Sequence, residues 1–248
     1  MSYLGFIRPI CRHYLSQIDF PKVLEIGVDK GQSAIPLIQN LSLTKSSFMY
    51  AGIDILLNHE LLEQLSQFEG VTASWIDGEI LNERAVMMFQ ENSLDWLANN
   101  QGSPLKFDLV LIDGDHNYFT VSRELNLIQS LLKPTSIIIC DDYNGRYSED
   151  DMFYSEREAY KDVSDATPRT ESEKKGVRSA VNDFIDSEVG GEFRCAYFSN
   201  DPCILYRPEF VRIDIDESFT LIRDMDMTIS LGRKSSGTFS LGSFISNS

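Results

Sequence analysis

The sequence has little positive charge and few cysteines, and it lacks a long apolar run. Its 22 Lys and Arg residues stand against 38 Asp and Glu, and the net charge of −16 argues against nucleic acid or an anionic membrane as partner. None of its four cysteines forms a C-x-x-C pair or has the spacing of zinc ligands, which favours a reducing compartment. Because no apolar run approaches the roughly 20 residues that span a bilayer, and no signal-peptide pattern opens the chain, we expect a cytoplasmic protein.

A glycine is also missing from the turn VLEIGVDKGQSA, which follows the first predicted strand. Gly27 and Gly31 are present, but Asp29 stands where the dinucleotide motif G-x-G-x-x-G has its middle glycine. A carboxylate there would repel a pyrophosphate, which disfavours an oxidoreductase that uses NAD or FAD. A ligand with an ammonium group near Glu25 fits the turn better. A plain strand-to-helix turn without a ligand is the alternative interpretation.

Strand and helix patterns alternate between residues 20 and 140. The strands are near-continuous apolar runs, a pattern typical of a parallel sheet that is covered by helices on both faces. They read KVLEIGV, MYAGIDIL, AVMMFQ, FDLVLID and SIIIC, and VTASWI is either a further strand or a connection. Later in the chain FRCAYF and CILYR predict a hairpin. Ligands of such sheets bind beyond the carboxyl ends of the strands.

The sequence predicts one domain over residues 1–208 and a C-terminal extension over residues 209–248. A helix over residues 3–19 opens the domain, and a charged excursion at 144–175 is either a lid or a plain surface segment. The extension ends in the Ser- and Gly-rich stretch GRKSSGTFSLGSFISNS, so we expect it to be partly disordered.

Polar residues follow four of the predicted strands. Asp54 ends the second strand, where it could bind both hydroxyls of a ribose or cap the next helix. Asn92 and Ser93 follow the third strand, where their side chains could recognise the edge of an adenine ring. The fourth strand ends in LIDGDH and the fifth is followed by two aspartates at 141 and 142, although either motif could also be only a turn.

These motifs occur in an order that resembles the class I S-adenosylmethionine-dependent methyltransferases, over roughly residues 20–145. VLEIGV-x-K-G-x-S followed by IDGDH-x-Y is most similar to the macrocin O-methyltransferase type, which acts on sugars and natural products. The resemblance implies an α/β, Rossmann-like, doubly wound, seven-stranded and mostly parallel sheet with an antiparallel edge hairpin. It implies that the cofactor is bound by Glu25, Gly27, Gly31, Ser33, Asp54, Asn92, Ser93 and Asp113.

The resemblance also implies a metal site. In this fold the fourth and fifth strands are neighbours, about 4.8 Å apart. Asp113, Asp141 and Asp142 would therefore share one volume, where desolvation and repulsion would force a proton onto at least one of them. A divalent cation such as Mg²⁺, which prefers oxygen ligands, removes this conflict. The three acids match the arrangement in metal-dependent catechol-type and macrocin-type enzymes, and Asp142 agrees with the macrocin type.

The function that this resemblance implies is Mg²⁺-assisted methyl transfer from S-adenosylmethionine to a hydroxyl of a sugar, a phenol or another natural product. Catechol-type enzymes carry a lysine base just after the first aspartate, where this chain has Asn117. The candidate bases are therefore Asp115, which we favour, and His116. A metal-independent methyltransferase and a non-catalytic protein that binds S-adenosylmethionine are the alternatives. We expect a small-molecule acceptor and a possible homo-oligomer.

Overall fold

The computed structural model describes residues 14–56, 58–68, 71–75, 84–197, 202–215, 219–223 and 227–231. Most of the helix that we predict over residues 3–19 lies outside these ranges. Within them, Leu15–Gln17 form a single 3₁₀ turn just before the first strand.

An eight-stranded sheet forms the centre of the described structure. The strands are β1 (Lys22–Ile26), β2 (Phe48–Asp54), β3 (Thr72–Trp75), β4 (Arg84–Gln90), β5 (Phe107–Ile112), β6 (Leu132–Cys140), β7 (Arg194–Tyr197) and β8 (Cys203–Tyr206). Their order is β3-β4-β2-β1-β5-β6-β8-β7, with β1 to β6 parallel and β8 antiparallel to both β6 and β7. The predicted seven-stranded sheet with its antiparallel edge hairpin is confirmed, and β3 adds an eighth strand at the opposite edge.

Helices cover both faces of this sheet. They are α1 (Ala34–Thr44), α2 (His59–Leu65), α3 (Ser93–Asn99), α4 (Tyr118–Leu127) and α5 (Gly176–Asp186). Alternate residues of β5 divide between two apolar clusters: Leu109 and Leu111 pack in the cluster that contains α1 and α2, whereas Val110 packs in the cluster that contains α3, α4 and α5. Burial of each aliphatic side chain of this kind stabilises the folded state by roughly 1.5–3 kcal/mol. Both faces of the sheet are therefore packed against helices and shielded from water.

Three asparagines begin helices at the edge of the sheet where the parallel strands end. Asn58 accepts a hydrogen bond from the backbone N–H of Glu60 at the start of α2. Asn92 caps α3, and Asn117 caps α4 by accepting from Thr120 N at 2.7 Å. A cap of this type stabilises a helix by about 1 kcal/mol. The caps therefore hold three helix N-termini at the edge where the strands present their polar residues.

The C-terminal extension contains a separate antiparallel sheet. Its strands are β9 (Val211–Ile215), β10 (Phe219–Arg223) and β11 (Met227–Leu231), with β10 in the middle. The Ser- and Gly-rich end that we predict to be disordered lies outside the described residues. Within the described ranges, no helix is both long and apolar enough to span a membrane.

Candidate functional site

An open cleft lies where β1, β2, β4 and β5 end, and the space between its walls, including the part that is open to solvent, is about 520 Å³. Five of the residues that we predict to bind the cofactor contribute to its walls, which are partly open to solvent. These are Gly27, Asp54, Asn92, Ser93 and Asp113. The cleft is therefore at the place that the strand pattern predicts.

The turn after β1 brings its backbone very close to the end of β5. Gly27 has a φ of +84°, a conformation that favours glycine. A Cβ atom at this position would lie 2.6 Å from the Cα of Gly114 and still closer to the carbonyl of Asp113. Glycine is therefore required here for two reasons, its backbone conformation and the approach of a second strand end.

Asp54 holds this turn in place. Its Oδ2 accepts hydrogen bonds from the backbone N–H groups of Val28 and Asp29, both at 2.8 Å, and its Oδ1 accepts from Leu56 N at 3.0 Å. Burial raises the pKa of Asp54, and the three N–H groups oppose that rise. The helix that follows is capped by Asn58 instead, so Asp54 fixes the turn and also lines the cleft.

Glu25 lies behind the turn rather than in the cleft. It is fully buried and accepts hydrogen bonds from the hydroxyl of Ser33 and, at 2.6 Å, from the hydroxyl of Tyr50. Burial raises its pKa to about 7. Glu25, Gly31 and Ser33, all predicted to bind the cofactor, are not among the residues that line the cleft.

Asn92 and Ser93 face the cleft but use their polar atoms differently. The amide of Asn92 is occupied within the protein: Oδ1 accepts from Leu94 N at 2.9 Å, and Nδ2 donates to Asp165 O at 2.7 Å and to Thr167 Oγ1 at 3.1 Å. The hydroxyl of Ser93 donates to Oε1 of Glu124 at 2.6 Å. Ser93 keeps lone pairs that are free to accept a hydrogen bond.

The charged excursion at 144–175 contributes to the wall of the cleft. Tyr154, Tyr160 and Thr167 line it, and the two tyrosine rings meet edge to face with their centroids 4.8 Å apart. At the beginning of the excursion, Oδ1 of Asp151 accepts from the backbone N–H groups that start α4 and α5, at 2.9 and 2.8 Å. The segment therefore packs against the cleft wall, and we refer to residues 144–175 as the cover segment.

Acidic residues and a histidine gather beside the cleft at the ends of β5 and β6. Asp113, His116 and Asp141 each offer one ligand atom, and these atoms lie within 4.8 Å of one another. Burial and the neighbouring Asp141 carboxylate raise the pKa of Asp113 well above its usual value. Asp142 adds an oxygen 3.6 Å from Nδ1 of His116, while its other oxygen accepts from Arg146 N.

The two candidate bases differ in position: Asp115 lines the cleft, whereas His116 belongs to this group. Asp115 lines the cleft, where its carboxylate accepts from Tyr154 N at 2.8 Å and from Thr120 Oγ1 at 3.3 Å, and burial raises its pKa to about 6. His116 is 8% exposed and stacks on Tyr147 at 5.6 Å between ring centroids. Burial lowers the pKa of His116. His116 is thus the candidate that faces the acids.

Sequence reasoning missed Glu124, which is fully buried behind Ser93. Burial raises its pKa to about 8. A signal was present, because Glu124 stands between Val121 and Leu125 on the apolar face of α4, where an acid is unusual. The cleft residues of the cover segment carried no such local signal.

Comparison with known proteins gives a family match for the central part of the chain. Residues 24–143 match a family described as a methyltransferase domain. A search of curated protein sequences found no significant match.

Solved structures with a similar fold include an O-methyltransferase from Bacillus cereus bound to S-adenosylhomocysteine, at 16% identity, with 83% of this chain and 81% of that chain covered and a TM-score of 0.49. A Podospora anserina methyltransferase matches at 15% identity, with 84% and 80% covered and a TM-score of 0.47. The mycinamycin-pathway methyltransferase MycE, in complex with Mg and S-adenosylhomocysteine, matches at 13% identity, with 84% and 51% covered and a TM-score of 0.49. The fold assignment rests on the strand order.

Proposed function

We propose that this protein is a class I methyltransferase that transfers a methyl group from S-adenosylmethionine to a hydroxyl oxygen of a small molecule. We also propose that a divalent cation assists the transfer. The family match over residues 24–143 carries the methyl-transfer part. The macrocin-like acceptor class, a sugar or another natural product, and a cytoplasmic location are finer parts of the same proposal. They rest on the motif resemblance and on the composition of the chain.

The observation that supports the cation is the grouping of Asp113 and Asp141. Each is held at a strand end by the backbone: Asp113 N donates to Ile26 O, and Asp141 N donates to Ile112 O. The fixed backbone keeps the two carboxylates together although burial and repulsion raise the pKa of Asp113. Carboxylate oxygens are the ligands that Mg²⁺ and Mn²⁺ prefer. The donor set therefore fits a hard divalent cation, which Asp113 and Asp141 would hold together with Asp142.

Such a cation would orient the acceptor and make its hydroxyl more acidic. We assign the removal of the hydroxyl proton to His116, which lies 3.7 Å from an Asp113 oxygen and 3.6 Å from an Asp142 oxygen. Asp115 is the second choice in this proposal, because its oxygens are occupied by Tyr154 and Thr120 on the cleft side. The cleft would bind S-adenosylmethionine, whose sulfonium supplies the methyl group, and S-adenosylhomocysteine would be the product.

Two measurements test the proposal. Isothermal titration calorimetry with S-adenosylhomocysteine should show binding at the cleft, and titration with Mn²⁺ should show one site that is lost in Asp141→Asn. The matched control is Asp150→Asn, which removes an exposed acid of the cover segment and should leave Mn²⁺ binding unchanged. Equal Mn²⁺ binding by both variants would reject the metal site.

Release of S-adenosylhomocysteine with a panel of sugars, phenols and polyketides then tests turnover, before and after chelation with EDTA. Activity that survives chelation would favour the metal-independent alternative. Binding of S-adenosylmethionine without turnover of any acceptor would favour the non-catalytic alternative. Failure to bind S-adenosylhomocysteine at all would reject the cofactor site.

A further inference from the structure

We propose that the methyl acceptor carries an anionic group, a carboxylate or a phosphate, and that Arg146 and Arg157 of the cover segment bind this group. The inference rests on the proposed function, because it assumes that the acceptor hydroxyl lies at the cation and near His116. It goes beyond that function by naming a charge that the acceptor brings and the two side chains that recognise it.

Tyr147 connects both arginines to His116. Its ring stacks on the imidazole with the centroids 5.6 Å apart and the two planes inclined by 22°. Cζ of Arg146 lies 5.2 Å from the centre of the same tyrosine ring, and Nη2 of Arg157 donates to the Tyr147 hydroxyl at 2.6 Å. Two positive charges therefore flank one ring, and that ring lies against the residue to which we assign removal of the hydroxyl proton.

The backbone fixes both arginines relative to the acids that follow β5 and β6. Asp142 has a φ of +55°, and its Oδ1 accepts from the backbone N–H of Arg146 at 2.9 Å. On the other side, Tyr154 N donates to Asp115 at 2.8 Å, and Arg157 N donates to the carbonyl of Tyr154 at 2.8 Å. Each arginine therefore lies within one hydrogen-bonded turn of a residue that is anchored at an acid of the site.

Neither guanidinium is paired with a carboxylate in the part of the chain that the structure describes, although both stand in an acidic segment. The glutamates near them are paired with other basic residues, as Glu149–Arg178, Glu156–Arg169 and Glu158–Lys161. A guanidinium has five N–H donors, and Arg157 uses one of them for Tyr147. Both arginines therefore keep donors for a carboxylate or a phosphate, whose oxygens a guanidinium can bind in pairs.

The charge of the whole chain makes this pair of arginines distinctive. A net charge of −16 opposes the binding of an anion, whereas Arg146 and Arg157, both exposed, favour it locally. The charge of Arg157 also acts on the site, since burial lowers the pKa of His116 and Arg157 lowers it further. The alternative is that the two arginines only hold Tyr147 against His116 and bind no ligand.

The test measures the binding of three catechol probes to the protein loaded with Mn²⁺ and S-adenosylhomocysteine, by isothermal titration calorimetry. The probes are protocatechuate, its neutral amide and the corresponding phosphonate, which stands in for a phosphate. All three offer the same two hydroxyls to the cation, so the ratio of their dissociation constants reports the anionic group. The wild-type protein should bind an anionic probe about 5- to 20-fold more tightly than the amide, and the tighter anion distinguishes a carboxylate from a phosphate.

Substitution of the arginines should remove this preference. Arg146→Gln and Arg157→Gln should each lower it, and the double variant should bring it to within about twofold of one. The matched control is Arg123→Gln, which removes an exposed arginine that lies over an aromatic ring, Phe119, with Cζ 3.6 Å from the ring centre. It changes the net charge as much as either single variant does, and it should keep the wild-type ratio.

The ratio separates anion binding from a purely structural role, because a general disturbance of the site weakens all three probes alike. A wild-type ratio near one, or a double variant that keeps the wild-type ratio, overturns the inference. So does a control that loses the preference, or a Mn²⁺-loaded protein that binds none of the probes. If the protein does not bind Mn²⁺ in the first place, the proposed metal site fails and the inference falls with it, and the separate Mn²⁺ titration identifies that result.

Discussion

Gly27 offers a strong test of how the site is built, because the chain contains a matched control for it. Gly27 and Gly102 have nearly the same backbone conformation, with φ of +84° and +78°. A Cβ atom at Gly102 would meet nothing within 4 Å, whereas at Gly27 it would lie 2.6 Å from Gly114 Cα and still closer to the Asp113 carbonyl. Substituting each with alanine therefore separates backbone strain from steric conflict.

Both variants carry the cost of a non-glycine residue at positive φ, about 1–2 kcal/mol. Gly27→Ala adds an overpacking cost, typically another 1–3 kcal/mol or more, because two strand ends must move apart. We expect the free energy of unfolding to fall by about 1 kcal/mol in Gly102→Ala and by about 2–5 kcal/mol in Gly27→Ala. The displacement would also move Asp113, so binding of S-adenosylhomocysteine and Mn²⁺ should be lost in Gly27→Ala alone.

Urea denaturation followed by circular dichroism measures the free energy of unfolding of each variant. Isothermal titration calorimetry measures how tightly each variant binds S-adenosylhomocysteine and Mn²⁺. The reasoning is refuted if Gly27→Ala is no less stable than Gly102→Ala. It is also refuted if Gly27→Ala binds S-adenosylhomocysteine as tightly as the control does.

Three further predictions follow from contacts in the site. Glu124 has a pKa of about 8 when folded, so the folded state holds its proton up to that pH. Glu124 alone should lower stability by about 1.4 kcal/mol per pH unit between the unfolded pKa and pH 8, and the slope of stability against pH in urea titrations should be shallower by that amount in Glu124→Gln. His116→Ala should lower kcat about 100-fold or more, with the affinity for S-adenosylhomocysteine within threefold; an unchanged kcat would contradict its role as base. Asn92→Ala should lose its cap and release the cover segment, seen as faster amide hydrogen exchange at residues 153–167, whereas Asn58→Ala should lose only about 1 kcal/mol of stability.

The strand pattern predicted most of the sheet because burial on both faces leaves a direct trace in the sequence. All six residues of β5 are buried, and the matching run FDLVLI contains one charged residue. The acids at strand ends were predictable for the same reason, since Asp113 and Asp141 stand immediately outside apolar runs. The edge strand β3 stayed ambiguous, because a four-residue run gives too little periodicity to separate a strand from a connection.

The parts of the site that could not be predicted depend on contacts between distant segments. Asn92 meets Thr167, 75 residues later, and nothing in the cover segment's composition indicates that contact. Glu25 was expected in the cleft, yet the hydroxyls of Tyr50 and Ser33 hold it beneath the turn. Sequence spacing places a residue on a strand or a turn, but the direction of its side chain depends on packing that spacing does not encode.

The hydrogen bonds that Asp151 accepts have a consequence for which substitutions the cover segment can tolerate. One carboxylate joins the cover segment to the first turns of α4 and α5, and Asn92 fastens the same segment near Asp165. The residues between Asp151 and Asp165 contact the segment that follows β5, because Met152 N donates to His116 O and Tyr154 N donates to Asp115. Tyr154 and Tyr160 also line the cleft. A point substitution in this short interval would therefore act on the cleft itself, and the sequence of the interval is tied to that of the site it faces.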